Sequence, residues 1–244
     1  MLAGFVRLEQ AFPRGLADEC RGLLWEQLEP RPDEPQTWTR PVIRLGSQDA
    51  PPFREASHTP RLLGAFDQLV GEGRWGIQDG LGGTVAVRFP VEGDPGDDGW
   101  HVDGSFAKDD SWWVNLRSDG RSLLMLFLFS DVGKDDAATR IRVGSHLDVP
   151  AALAAAGDAG MHFGDVSGLL PNVHARRLAL ATGEAGDVYL CHPFLVHAAD
   201  RHRGSVPRFL AQPGLFWRTP PALDGPADPS SPVETAIRIG LGAC

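Results

Sequence analysis

The chain has 244 residues, 42% hydrophobic and 23% charged, a composition that can bury a real core and excludes a disordered chain. Its net charge of -9 argues against nucleic acid as a partner, because affinity for a phosphate backbone comes from clustered Lys and Arg. Twenty-nine Gly and twenty Pro suit many turns between short strands better than long helices, and one all-β domain over 1–244 can hold a chain of this size.

At the N-terminus, acidic Glu9 and helix-like spacing are unlike a secretory leader. Leu16, Cys20, Leu23, Leu24 and Leu28 recur at helical spacing between Pro13 and Pro30, predicting an amphipathic helix over Arg14 to Glu29. A second helix starts where Thr59 can cap it and Pro60 takes the first helical position. Leu62, Leu63, Phe66, Leu69 and Val70 form its apolar face, and Gly71 and Gly73 end it. These helices define a mainly helical flank over 1–82.

From Gly83 the pattern changes to short β-prone runs separated by Gly, Asp and Pro. The runs are Thr84 to Phe89, Ser111 to Leu116, Ser122 to Phe129, Thr139 to Val143, Arg177 to Thr182, Asp187 to Val196 and Arg208 to Trp217. They predict a mainly β sandwich or jelly roll over 83–218, interrupted by a short helix over Ala151 to Ala156. In the tail over 219–244, Ser231, Pro232 and Glu234 form a capping-box start for a final helix carrying Val233, Ile237 and Leu241.

The longest apolar stretch, Leu123 to Phe129, is far short of the ~20 residues that cross a bilayer as a helix, so no membrane span is expected. Cys20, Cys191 and Cys244 contain no C-x-x-C pair and are odd in number. Neither a disulfide framework nor a thiolate zinc site is indicated, and a reducing, cytoplasmic compartment fits. No obligate protein partner is evident.

The chemistry sits in Trp100-His101-Val102-Asp103-Gly104-Ser105-Phe106. On an extended chain the imidazole of His101 and the carboxylate of Asp103, two residues apart, project to one face. A later run, Gly186 to His197, brings up a further imidazole, and Arg208 follows His197 by 11 residues. Two neutral imidazoles and one carboxylate on one face of a metal leave the opposite positions open, an arrangement favoured by non-haem Fe(II). Arg208 supplies an always-charged fork suited to a carboxylate. For the third ligand His192 and His202 compete with His197. His192 differs from His197 by five residues, an odd offset that points to the other strand face, and His202 lies in the basic turn Arg201-His202-Arg203.

His101, Asp103, His197 and Arg208, in this order and on strands, resemble the phytanoyl-CoA dioxygenase family of Fe(II)/2-oxoglutarate oxygenases. Val143-Gly144-Ser145-His146 is similar to that family's Gly-Ser/Thr-His turn, and the resemblance runs from about Thr84 to Gln212. It implies a double-stranded β-helix (a cupin-like jelly roll) with N-terminal and C-terminal helices packed outside. It implies Fe(II) on His101, Asp103 and His197, Arg208 on the distal carboxylate of 2-oxoglutarate, and molecular oxygen as the second co-substrate. Decarboxylation to succinate would then be coupled to hydroxylation of a small molecule, since Asp103 stands where halogenating relatives have a small residue.

Two departures affect the co-substrate side. Ala199 replaces the hydroxyl residue that family members often place two positions after the distal histidine, and Ala137-Ala138-Thr139-Arg140 replaces the usual acidic-Asn-Gly run. Around the site, Arg88, Phe106 and Trp113 are candidate substrate contacts, with Trp112 a further aromatic candidate. Arg88 either reaches the pocket or faces solvent, and the aromatic residues either line it or belong to the core. His146 either orients a neighbour or is fixed in its turn. Two other functions fit the same residues: a jelly-roll metallohydrolase or isomerase in which Arg208 binds substrate directly, and a non-catalytic metal-binding sensor.

Overall fold

The computed structural model describes residues 2–77, 79–170, 172–223 and 231–242. In chain order its strands and α-helices are β1 (Phe5–Leu8), α1 (Arg14–Trp25), β2 (Val42–Leu45), α2 (Pro51–Ser57), α3 (Pro60–Val70), β3 (Trp75–Gly76), β4 (Thr84–Arg88), β5 (Phe106–Lys108), β6 (Ser111–Val114), β7 (Leu123–Leu128), β8 (Arg140–Arg142), α4 (Val149–Ala154), β9 (Met161–His162), α5 (Phe163–Val166), β10 (Leu178–Leu180), β11 (Val188–Cys191), β12 (His197–Ala198), β13 (Arg208–Gln212), β14 (Gly214–Trp217) and α6 (Pro232–Gly240).

The fold is a mainly β jelly roll built from antiparallel pairs. Its larger sheet runs β1-β11-β7-β13-β4-β2, with β14 paired to β7 and β3, and a smaller sheet runs β10-β8-β12. The hairpin β5–β6 pairs with β9 as a third, separate sheet.

Strand β7 explains the layering. All six of its residues are buried, the signature of a strand covered on both faces. Leu123, Met125 and Phe127 join a core that also takes Leu16, Cys20 and Leu24 of α1, Leu62 and Phe66 of α3, and Val233 and Ile237 of α6. The alternate residues Leu124, Leu126 and Leu128 pack with Leu210, Tyr189 and Ile141 between the sheets. The helices therefore cover the outer face of the larger sheet, and the inner face is left for the smaller sheet and the site. Each fully buried Leu or Phe contributes about 1.5–3 kcal/mol by leaving water.

The helix signals act as the residues suggest. The Thr59 side chain accepts from the Leu62 amide at the start of α3. Ser231 and Glu234 close a capping box on α6, and Arg74 clamps Glu234 at 2.6 Å through both guanidinium nitrogens. Helix α1 stops at Trp25, short of the expected Glu29, and the short insertion helix lies at Val149–Ala154.

Other expectations need correcting. The flank over 1–82 is helical in three places but also supplies β1 and β2, the two edges of the larger sheet. The expected strand Asp187 to Val196 stops at Cys191 ahead of a proline, and the expected strand Arg208 to Trp217 is interrupted by one, since proline has no N–H for the ladder. Pro193 separates β11 from β12, and Pro213 separates β13 from β14. No helix among the described residues is long and apolar enough to cross a membrane. Cys20 and Cys191 are buried free thiols, and Cys244 lies outside the described residues.

Candidate metal centre

His101 and His197 face each other across an isolated antiparallel bridge, each backbone amide donating to the other's carbonyl at 2.9 Å. That pairing brings their rings to 4.5 Å between centroids, tilted by 55°. The Nδ1 of His101 lies 2.8 Å from the Gly99 carbonyl, and the Nδ1 of His197 lies 2.9 Å from the Leu195 carbonyl. A carbonyl can only accept, so both rings carry their proton on Nδ1 and turn an Nε2 lone pair inward. The Asp103 Oδ1 sits 3.7 Å from the first Nε2 and 3.4 Å from the second. The three ligand atoms lie within 4.8 Å of one another.

The donor set fits a divalent cation by its own chemistry. His197 Nε2 is buried with no hydrogen-bond partner, an atom whose desolvation is otherwise uncompensated. Burial lowers the pKa of His101, with the neighbouring imidazole of His197 acting the same way, which keeps His101 a neutral ligand. Burial would lower His197 too, but Asp103 raises it, so the site draws positive charge to this point.

Arg121, which the sequence did not single out, completes the geometry. Its Nη1 donates to Asp103 Oδ2 at 2.6 Å, leaving Oδ1 turned to the histidines. Burial would push the Asp103 carboxyl up, but Arg121, ahead of the two imidazoles, holds it well below the usual carboxylate range. The neighbouring Gly104 is required by close approach, since a Cβ there would lie 2.5 Å from the Trp112 Cβ. The Gly-Ser-His turn contributes from behind: the buried Ser145 hydroxyl accepts from the Val196 amide at 2.8 Å, fixing the strand that carries His197.

A cavity of about 580 Å³ opens from the triad over the inner face of the larger sheet. Its floor follows the strand alternation, with Thr84, Ala86 and Arg88 from β4 and Arg208 and Gln212 from β13. The register sets Arg208 directly opposite Arg88, so two guanidiniums enter side by side, both almost fully buried. They are not equivalent. Arg88 donates to Asp97 at 2.5 Å, and Arg44 of β2 pairs with the same carboxylate, which fastens the loop leading to His101 onto the sheet. Among the described residues no carboxylate pairs with Arg208; its Nη1 donates to the Ala137 carbonyl at 2.6 Å, and its Nε, like that of Arg88, is buried without a partner. Burial, with Arg88 beside it, pushes its pKa down to about 9. Asp97 opposes that fall only through space, and a buried guanidinium without a hydrogen-bonded carboxylate is a receptor for an anion.

The two departures noted in the sequence have a visible structural use. Ala137 adopts φ 54°, and its carbonyl takes Arg208, while Thr139 lines the cavity. Ala199 also lines the cavity, and its carbonyl accepts from Arg140 at 2.9 Å.

Of the competing histidines, His192 is fully buried on the far side. Its Nε2 meets the Val233 carbonyl of α6 at 3.2 Å, and its ring lies against that of His146 at 4.9 Å, tilted by 49°. It follows β11 in a turn, so its separation from His197 comes from the break at Pro193 and not from strand parity. His202 lies in its turn with Nε2 on the Val206 carbonyl at 2.8 Å. His101, Asp103, His197, Arg208 and Arg88 converge on the cavity, whereas Phe106 and Trp113 do not line it; they pair with each other across β5–β6. The wall takes Trp112 instead, because alternation along β6 sends neighbouring indoles to opposite faces. Asp97 and Arg121 had no local signal: each acts through a partner distant in the chain.

A family model described as phytanoyl-CoA dioxygenase (PhyH) matches residues 3–210, more than half of the chain. Among curated proteins none matches by sequence. In fold the chain is similar to HygX from Streptomyces hygroscopicus, solved with nickel, 2-oxoglutarate and hygromycin B, at 19% identity and a TM-score of 0.56 over 89% of this chain and 84% of that one. It is also similar to the epimerase SnoN, solved with Fe3+, alpha ketoglutarate and nogalamycin RO, at 18% identity and a TM-score of 0.62 over 95% and 89%. The carbocyclase SnoK from nogalamycin biosynthesis is similar at 15% identity and a TM-score of 0.57 over 88% and 80%. Identities this low carry the fold and not the substrate.

Proposed function

The chain belongs to the phytanoyl-CoA dioxygenase family, and on that premise we propose that it is an Fe(II)/2-oxoglutarate-dependent oxygenase that hydroxylates a small molecule. The observation that carries this reading is the combination of two inward Nε2 atoms and one carboxylate oxygen within 4.8 Å with a buried Arg208 that pairs with no carboxylate among the described residues. His101, Asp103 and His197 would hold the metal. Arg208 would take the distal carboxylate of 2-oxoglutarate, with Thr139 beside it on the cavity wall. The core that runs from Ala11 to Ile237 supports reading the chain as one oxygenase domain.

When bound, iron supplies the coupling of 2-oxoglutarate and oxygen: one oxygen atom goes to succinate as carbon dioxide leaves, and the other goes into a C–H bond of the substrate. The chain's own residues do the positioning. The carbonyls of Gly99 and Leu195 hold the two imidazole tautomers, Arg121 restricts Asp103 to one inward oxygen, and Asp97 ties the His101 loop to Arg44 and Arg88. Such outer contacts set ligand orientation, and their loss typically costs 10–100-fold in metal affinity. Hydroxylation is the outcome we infer within a fold that SnoN and SnoK use for epimerisation and ring closure.

The test needs no substrate at first. Anaerobic protein given Fe(II) and 2-oxoglutarate develops a visible metal-to-ligand charge-transfer band, and His101→Ala abolishes it. Iron binding without that band would replace this reading with the hydrolase or sensor. Hydroxylation itself is tested once a substrate is found, by one labelled atom from isotopic oxygen in the product; a product without it points to epimerisation or cyclisation.

A further inference from the structure

The two histidines of the metal centre share one cross-strand row, and the row beside it faces the other way. His101 is bridged to His197, and β12 sets His197 opposite Ile141 of β8. One step along these antiparallel pairings, Trp100, Ala198 and Arg140 fall in line across the same three segments. Successive residues of an extended chain alternate between faces. His197 turns to the cavity and Ile141 to the core between the sheets, so Trp100, Ala198 and Arg140 project behind the metal centre.

On that rear face the row closes on itself. Neighbouring segments lie about 4.8 Å apart, so Arg140 must pass over the middle residue to reach Trp100, and the buried Ala198 puts only a methyl group in the way. The guanidinium carbon of Arg140 lies 5.0 Å from the centre of the Trp100 ring, and that of Arg142, on the same face of β8, lies 4.2 Å from it. The hydrogen bonds of both side chains go to main-chain carbonyls. Arg140 donates to Asp98 at 2.6 Å and to Ala199 at 2.9 Å, so one guanidinium ties the segment leading into His101 to the segment leaving His197. Arg142 donates to Arg176 at 3.2 Å, and the Trp100 carbonyl accepts from the Ser167 hydroxyl at 2.7 Å. The direct link between the two histidines is slight by comparison: an isolated bridge of two backbone hydrogen bonds.

We propose that Trp100, covered by Arg140 and Arg142, is a positioning residue that fixes the spacing of the His101 and His197 imidazoles. A guanidinium over an indole is attracted by the negative face of the ring and needs no carboxylate to hold it there. The clamp secures from behind what the bridge secures by two bonds, and Ala198 is small enough for it to close. The inference rests on the metal reading proposed above for what that spacing serves.

The experiment measures three things on anaerobic protein: Fe(II) affinity against a competing chelator, the visible band on adding 2-oxoglutarate, and hydrogen exchange of the His101 amide without metal. Trp100→Leu keeps apolar bulk and removes the aromatic face, and Arg142→Met removes a cation. Each should weaken Fe(II) binding by about 10–100-fold, the loss usual for a contact that orients a metal ligand, and should shift the band and speed exchange at His101. Trp100→Phe keeps an aromatic face and Arg142→Lys keeps a cation, so both should retain most of the affinity. Iron affinity and band unchanged in Trp100→Leu overturn the proposal, even if the melting temperature falls, because the clamp is then structural only. Trp100→Phe no better than Trp100→Leu overturns it as well. If Trp100→Leu does not fold, Arg142→Met against Arg142→Lys decides by the same comparison. A parent that binds iron without forming the band drops the oxygenase reading and leaves the affinity series to decide the clamp; a parent that binds no iron overturns both.

Discussion

Replacing Arg208 by Met should make the protein more stable and unable to respond to 2-oxoglutarate. Burial beside Arg88 pushes the Arg208 pKa from the ordinary arginine value down to about 9. That drop of about 3.5, at 1.36 kcal/mol for each, disfavours the charged form by roughly 5 kcal/mol. Removing the side chain also orphans the Ala137 carbonyl, which costs about 1–3 kcal/mol. The net gain is about 2–4 kcal/mol, a rise of roughly 5–15 °C in Tm for a chain of this size. The sign with pH follows from linkage: above about 9 the unfolded arginine binds more protons than the folded one, so the penalty is complete below about 9 and is relieved as pH rises past it. The assay is thermal melting of both proteins at neutral pH and near pH 10, with and without 2-oxoglutarate at a fixed metal concentration. A ligand at a hundred times its Kd should stabilise the parent by about 2.7 kcal/mol and leave Arg208→Met unchanged. An Arg208→Met protein that melts below the parent, or that gains as much from 2-oxoglutarate, refutes the reasoning.

Three further outcomes are expected. Burial would push the Glu234 carboxyl up, but Arg74, with the Ser231 and Ala222 amides, holds it at about 2 against an ordinary 4.5. Glu234→Gln should therefore lose roughly 3 kcal/mol near neutral pH; the contribution is present above about 4.5 and disappears as pH falls towards 2, read from denaturant midpoints across that range. Gly104→Ala should destabilise by about 1–3 kcal/mol and weaken metal binding, because its methyl group would meet the Trp112 Cβ at 2.5 Å; equal metal affinity by dialysis would contradict this. Ser145→Ala leaves the buried Val196 amide without its acceptor, costing about 1–3 kcal/mol, and should lower iron affinity through His197, whereas an effect on stability alone would separate the turn from the metal site.

By itself the sequence determined those features that depend on spacing along one segment. The spacing of His101 and Asp103 predicted that they share a face, which they do on a short stretch bridged at His101 and not on a full strand, and Thr59, Ser231 and Glu234 mark helix starts because capping is local. The β-prone run Ser122 to Phe129 predicted the strand β7, while its burial on both faces is a finding of the structure. Tertiary structure alone decided what depends on pairing between distant segments. Strand phase sent Trp112 to the cavity in place of Trp113, and a proline break turned His192 towards α6. The register of β4 with β13 set two guanidiniums together, and Asp97 then neutralised Arg88 and left Arg208 without a carboxylate. Arg121 reads in sequence as an ordinary loop arginine, and only the approach of that loop to Asp103 gives it a role. Charge compensation acts through space, so which of several arginines keeps its charge for a ligand is settled by what the fold places within hydrogen-bonding distance.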